Sequence, residues 1–101
     1  MPTSQARVET AMASRYLGQL CKHFEHRLPV QHDGARGRIE FSIGTCTLQA
    51  EPGVLILHAQ SATDDALAQL ESVVARHLER FAFRDKPEIG WQKQPTTSCG
   101  P

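Results

Sequence analysis

From Arg38 to Ala50 the chain alternates. Ile39, Phe41 and Ile43 fall on one side of an extended backbone and Arg38, Glu40 and Ser42 on the other; past Gly44, the residues Cys46, Leu48 and Ala50 repeat the apolar side opposite Thr45, Thr47 and Gln49. A period of two is that of a half-buried strand, whereas a helix gathers one side chain in about 3.6. Gly44 can supply the positive φ of a tight hairpin turn. Pro52-Gly53 fits the middle of a type II turn, Pro fixing φ and Gly accepting the left-handed position, and Val54 to Gln60 then reads as a third strand. Three strands on tight turns make an antiparallel meander with one apolar and one polar face, and the apolar face must be covered.

Two stretches have the period needed to cover it. Between Ala13 and His26 the apolar Tyr16, Leu17, Leu20, Cys21 and Phe24 gather on one side of a helix, with Arg15, Lys22, Glu25 and His26 opposite. Ser14 is the expected N-cap, with Ala11 and Met12 an alternative first turn, and Pro29 disfavours helical geometry at Leu28. The second helix opens at Ser61-Ala62-Thr63-Asp64, where Ser61 with Asp64 is a weak capping-box pattern. Its apolar stripe runs through Ala66, Leu67, Leu70, Val73, Val74, Leu78 and Phe81; Arg84 and Lys86 complement the carboxyl end and Pro87 stops it. Ala6 to Thr10 alternates weakly and Ile89 to Gln92 alternates briefly, which gives a short strand at each end, while the polar Gln31 to Gly37 reads as a loop. The expected fold is α+β: a two-layer sandwich whose antiparallel sheet, a three-strand meander plus short terminal strands, carries two helices packed on one face. The other face, with Arg38, Glu40, Thr45, Thr47 and Gln49, meets water or a partner. Residues 1–5 read as a disordered N-terminus, 6–93 as a single domain and 94–101 as a disordered tail.

Composition narrows the function classes. A chain of 101 residues suits one modest core. Its 11 basic and 11 acidic residues cancel, so no overall field draws in nucleic acid or an anionic membrane. The longest apolar run, Val54 to Leu57, is far below the roughly 20 residues that span a bilayer, and no membrane association is expected. Met1-Pro2-Thr3-Ser4-Gln5 is polar and unlike a secretory signal, which makes the cytoplasm the expected address. Cys21, Cys46 and Cys99 include no CxxC pair and imply no disulfide framework.

The candidate chemistry centres on His77, which projects near the middle of the second helix's apolar stripe, where an ionised imidazole is unfavourable. It reads either as a neutral histidine bonded to a backbone carbonyl or as a metal ligand or proton-transfer group in a pocket between helices and sheet. Cys21 and Cys46 face the same core and with His77 would form a tri-ligand metal site, which His23 or His58 would complete to a zinc-like tetrahedron; the ligands nonetheless lack the close paired spacing of structural zinc motifs. His23 and His26, three apart on the first helix, can also grip a metal at the surface or simply complement the helix dipole. Arg76, Arg80 and Arg84 recur every four residues beside His77, either as a solvated face or as a stripe that holds a carboxylate or phosphate on a small anionic ligand. No GxGxxG, P-loop, HExxH or GxSxG is present, so no catalytic residue is assigned; an enzyme would use His77 as acid or base beside Arg80.

The phrases Ser14-Arg15-Tyr16-Leu17, Leu20-Cys21-Lys22-His23-Phe24 with His26, Gly37-Arg38-Ile39 with Phe41, Gly44-Thr45-Cys46-Thr47-Leu48, and Val74-Ala75-Arg76-His77-Leu78-Glu79-Arg80-Phe81-Ala82-Phe83-Arg84 resemble a bacterial family, domain of unknown function twenty-two eighteen, over about residues 4 to 93. That family has no established activity. Its domains also occur joined to siderophore-interacting, flavin-dependent ferric reductase-like proteins, so the resemblance implies a link to iron-siderophore handling and a siderophore-handling protein as partner. It assigns no catalytic residue and no cofactor. The leading expectation is a small cytoplasmic binding or accessory domain without catalysis of its own, with a core metal site as the competing one.

Overall fold

The computed structural model describes residues 2–81 and 89–94. Its elements are β1 (Thr3–Glu9), α1 (Ala13–Glu25), β2 (Val30–His32), β3 (Arg36–Phe41), β4 (Gly44–Glu51), β5 (Val54–Gln60), α2 (Asp64–Phe81) and β6 (Trp91–Gln94). All pairings are antiparallel, and the described residues form a six-stranded sheet in the order β2-β3-β4-β5-β1-β6. After β1, helix α1 carries the chain across the sheet to its far edge. The meander then returns strand by strand until β5 lies against β1, and α2 crosses to place β6 on β1's other side.

Register decides which face is dry. Ser4, Ala6 and Val8 stand opposite Ala59, Leu57 and Leu55, which stand opposite Cys46, Leu48 and Ala50. All are buried except the half-buried Ala50. Tyr16, Leu17, Leu20 and Cys21 of α1 and Leu67, Leu70, Val74 and Leu78 of α2 complete one continuous core against that face. Each fully buried Leu stabilises the fold by about 1.5–3 kcal/mol. Both helices therefore lie on one side of the sheet, as the two one-sided patterns require, and Arg36, Arg38 and Thr47 on the other side are exposed.

The structure departs from the sequence reading in five places, one of them the last strand, which runs over Trp91–Gln94 instead of Ile89 to Gln92, so that Gln94 pairs with Thr3 instead of opening the tail. The meander has four strands, because Val30–His32, partly inside the expected loop, pairs with β3 through Val30↔Ile39, Gln31↔Arg38 and His32↔Gly37. Thr3 to Gln5, read as part of a loose end, begin β1 and pair on both sides with β5 and β6. The β3–β4 turn is made by Ser42 and Ile43, since Phe41 pairs with Gly44. Gly44 is needed for a different reason, because a Cβ there would collide with the Gln60 carbonyl oxygen and Ser61 Oγ. Finally, neither expected cap is used. Helix α1 begins after Met12, whose N–H donates to Thr10 Oγ1 at 3.0 Å, and Ser14 lies inside it. At α2 the cap is Thr63, whose Oγ1 accepts the Ala66 N–H at 3.1 Å, while Ser61 is buried without a partner. The Pro52-Gly53 turn is as expected, with Gly53 at φ 78. Arg84, Lys86 and Pro87 and the tail beyond Gln94 lie outside the described residues.

Candidate functional site

The carboxyl-terminal halves of α1 and α2 meet, and most of the residues singled out for ligand binding meet with them. Lys22 and His23 occupy the last turn of α1 and Arg80 the last turn of α2. Cations there are favoured by the partial negative charge of a helix carboxyl end. His77 is half-buried rather than fully enclosed. Its Nδ1 lies 2.7 Å from the carbonyl oxygen of Val73, one turn earlier. A carbonyl only accepts, so Nδ1 carries the proton, and Nε2 is the nitrogen left for a ligand or for proton exchange.

An aromatic run holds the ring in place. Phe41 packs edge-on to Phe24 with centroids 5.0 Å apart, Phe24 lies 4.8 Å from the His77 ring, and His77 lies 4.7 Å from His23. His23 in turn is 5.9 Å from Phe81. The chain of rings runs from β3 through α1 to α2, so the position of His77 is fixed by the same packing that joins the two layers.

Arg76, His77, Glu79 and Arg80 line a cleft of about 460 Å³. Local charge is positive: the His23 imidazole is held below its ordinary range first by partial desolvation and then by His77, Arg80, Arg27 and His26 around it. The like-charge part of that shift favours an anion, against the single carboxylate of Glu79 on the same cleft. Guanidinium forks from Arg76 and Arg80 match a carboxylate or phosphate. Arg84, the third member of the expected stripe, lies outside the described residues.

The core metal site is not assembled. Among the described residues no three of His, Cys, Asp or Glu are grouped to hold a metal ion. Cys21 and Cys46 are both fully buried free thiols, and burial pushes Cys21 up to about 11, with Glu25 adding to it, and Cys46 up to about 12, with Cys21 adding to it. The Cys21 sulfur packs where a Cβ on Gly37 would be, 2.6 Å away, whereas His77 is committed to Val73 and Phe24. His58 stands in register with Thr47, on the sheet face away from both thiols. Facing the core was read correctly for Cys21 and Cys46. It does not fix position along the helix axis, and there the triad falls apart.

Sequence reasoning missed the second helix-end contribution, Arg27, and the place of Gln60 on the outward sheet face. The signal for Gln60 was present in the alternation of Val54 to Gln60, which places Ile56, His58 and Gln60 on one side.

Fold and cleft together define a small two-layer α+β domain with a cationic seam between the ends of its two helices. The chain belongs to the bacterial family described as "Uncharacterized protein conserved in bacteria (DUF2218)", whose model matches residues 5–92. It is similar to a solved structure, the NMR structure of PA4090 from Pseudomonas aeruginosa, at 39% identity and a TM-score of 0.79, over 97% of this chain and 100% of that one. No curated protein matches the chain. Among the described residues no helix is long and apolar enough to cross a membrane.

Proposed function

We propose that the protein is a non-catalytic binding or accessory domain that takes a small anionic ligand in the cleft along the carboxyl-terminal half of α2, beside the end of α1. The observation that carries this reading is that Arg76, His77 and Arg80, with Glu79 as the one acidic group, line a single cleft beside His23, whose protonation is disfavoured first by partial desolvation and then by its cationic neighbours. An anion seated there offsets the like-charge part of that suppression, so binding and protonation of His23 support each other, and affinity rises as the pH falls through the histidine range. The implied link to iron-siderophore handling makes a polycarboxylate chelate the first ligand class, and a cytoplasmic setting with a siderophore-handling partner belongs to the same proposal.

Citrate, with and without ferric iron, is the probe. Imidazole resonances of His23 and His77 followed by NMR during citrate addition are expected to shift, and the His23 pKa to rise. Arg76→Gln with Arg80→Gln is expected to weaken binding by about tenfold or more, since each charge-assisted contact contributes about 1.5 kcal/mol or more. Unchanged citrate affinity in that double variant would remove the cleft as the site.

A further inference from the structure

Helix α1 ends between two neighbours, and each contact is made through a histidine. Residues 23 and 25 are two apart, so their side chains leave the helix about 200° from one another. On one side the His23 ring lies against the His77 ring of α2, with centroids 4.7 Å apart and planes tilted by 47°. On the other, Glu25 Oε2 lies 3.6 Å from His32 Nε2 on β2. His32 is in register with Gly37, where a Cβ would stand 2.6 Å from Cys21 Sγ and 3.6 Å from His32 Cβ. His32 therefore sits on the helix-covered side of the sheet, within reach of α1.

The two contacts respond to a proton in opposite senses. Glu25 with His32 is an ion pair only when the imidazole is charged, so a proton on His32 strengthens it. A proton on each of His23 and His77 does the reverse, because it sets like charges one ring apart. Among the described residues, the charged groups around that stack are Arg76, Glu79 and Arg80 from α2, Lys22 and His26 from the end of α1, and Arg27 just beyond it. From β3 the contact is the uncharged Phe41, through Phe24. Glu25 points the other way, to His32, which leaves Glu79 alone against the cations. His77 stays in place when charged. Its Nδ1 donates to the Val73 carbonyl at 2.7 Å, so a further proton enters at Nε2 and that bond is kept. The end of α1, closed by the Arg27 and Leu28 N–H groups on the Phe24 carbonyl, is the part that yields.

We propose that the last turn of α1 is an acid-operated latch: protonation of His23 and His77 releases it from α2, while protonation of His32 holds it, through Glu25, on β2. The turn changes partner instead of unfolding, and the contact of Phe24 with His77 opens with it. No ligand takes part, so the latch stands or falls separately from the anion reading, and its test is run without carboxylate or phosphate in the buffer.

The full chain, isotopically labelled, is compared by NMR at about pH 7.5 and about pH 5, on either side of the ordinary histidine range. Ring-to-ring NOEs between His23 and His77 are expected at the higher pH and to be lost at the lower, with amide protection at residues 24–28 retained. His23→Phe keeps a ring against His77 and removes the charge, so its contact with His77 is expected to be the same at both pH values. His32→Gln removes the hold on β2, and protection at residues 24–28 is then expected to drop roughly tenfold, at the lower pH only. His23 and His32 are both exposed, and amide spectra at the higher pH verify that the variants are folded. Ring contacts unchanged by acid in the wild-type chain, or lost equally in His23→Phe, would overturn the proposal. So would a loss that comes only together with protection at Leu48 and Leu57 in the sheet, or equal protection in His32→Gln and the wild-type chain.

Discussion

Gly37 is held to glycine by a sulfur atom. A Cβ there would stand 2.6 Å from Cys21 Sγ and 3.5 Å from Leu17 Cδ2, closer than the first contact can tolerate. Gly37→Ala is therefore expected to lower stability in urea by about 1–3 kcal/mol, the usual range for overpacking a close-packed site. If the sulfur is the cause, Cys21→Ala in the same chain recovers part of that loss, whereas additive effects of the two substitutions would show that the glycine is needed for another reason. His23 is an example of the same dependence on neighbours in a titrating group. Partial desolvation, then His77, Arg80, Arg27 and His26, hold its folded pKa below the ordinary 6.5. The unfolded chain thus takes up the proton first, so stability is full above 6.5 and is lost as pH falls from there towards the depressed folded value. The exposure of the ring keeps the loss small. His23→Gln is expected to flatten the urea midpoint over that window, and Arg80→Gln to flatten it in part; an equally steep profile in His23→Gln would assign the dependence to another group.

At the scale of the elements, the cap of α2 separates two residues that look interchangeable in sequence. Thr63 accepts the Ala66 N–H at 3.1 Å, and Thr63→Ala is expected to lose about 1 kcal/mol in urea. Ser61 caps nothing, so Ser61→Ala is expected to be neutral or slightly stabilising; a loss at Ser61 equal to that at Thr63 would restore the cap to the earlier residue. The misplacement has a physical reason. Both are hydroxyl residues ahead of an acidic first turn, and only the backbone path from β5 decides which one faces the open N–H groups. Strands β3 to β5 were legible because alternation records burial on one face. Strand β2 was not, because an edge strand of three residues with exposed Gln31 and His32 carries no such record. Its pairing is set by the Asp33 turn, where Oδ1 accepts the N–H groups of Ala35 at 3.1 Å and Arg36 at 2.9 Å. Part of the cleft was legible for the opposite reason. Arg76, His77 and Arg80 are brought together by one helix, and helix geometry follows from sequence spacing alone. The thiol–histidine triad required three elements to agree on a depth, which spacing does not encode.

For the whole molecule, the two buried thiols report whether the layers come apart together. Cys21 belongs to α1 and Cys46 to β4, and both lie in the single core that the helices and the sheet share. Burial raises them to about 11 and about 12, so near pH 8 only about a thousandth or less of either is thiolate even when reached by solvent in the native fold. Alkylation of the native protein therefore waits for an opening that exposes the sulfur and returns its pKa to the ordinary range. With Cys99→Ser leaving these two thiols, a cooperative core predicts that both label at one rate, and that the rate rises with urea as steeply as global unfolding does. Should Cys21 label faster and with a shallower urea dependence than Cys46, α1 would be opening by itself. That outcome would divide the core into a sheet-and-α2 unit and a detachable helix, and the packing of His23 and Phe24 on His77 would then break and re-form with α1 rather than with the fold.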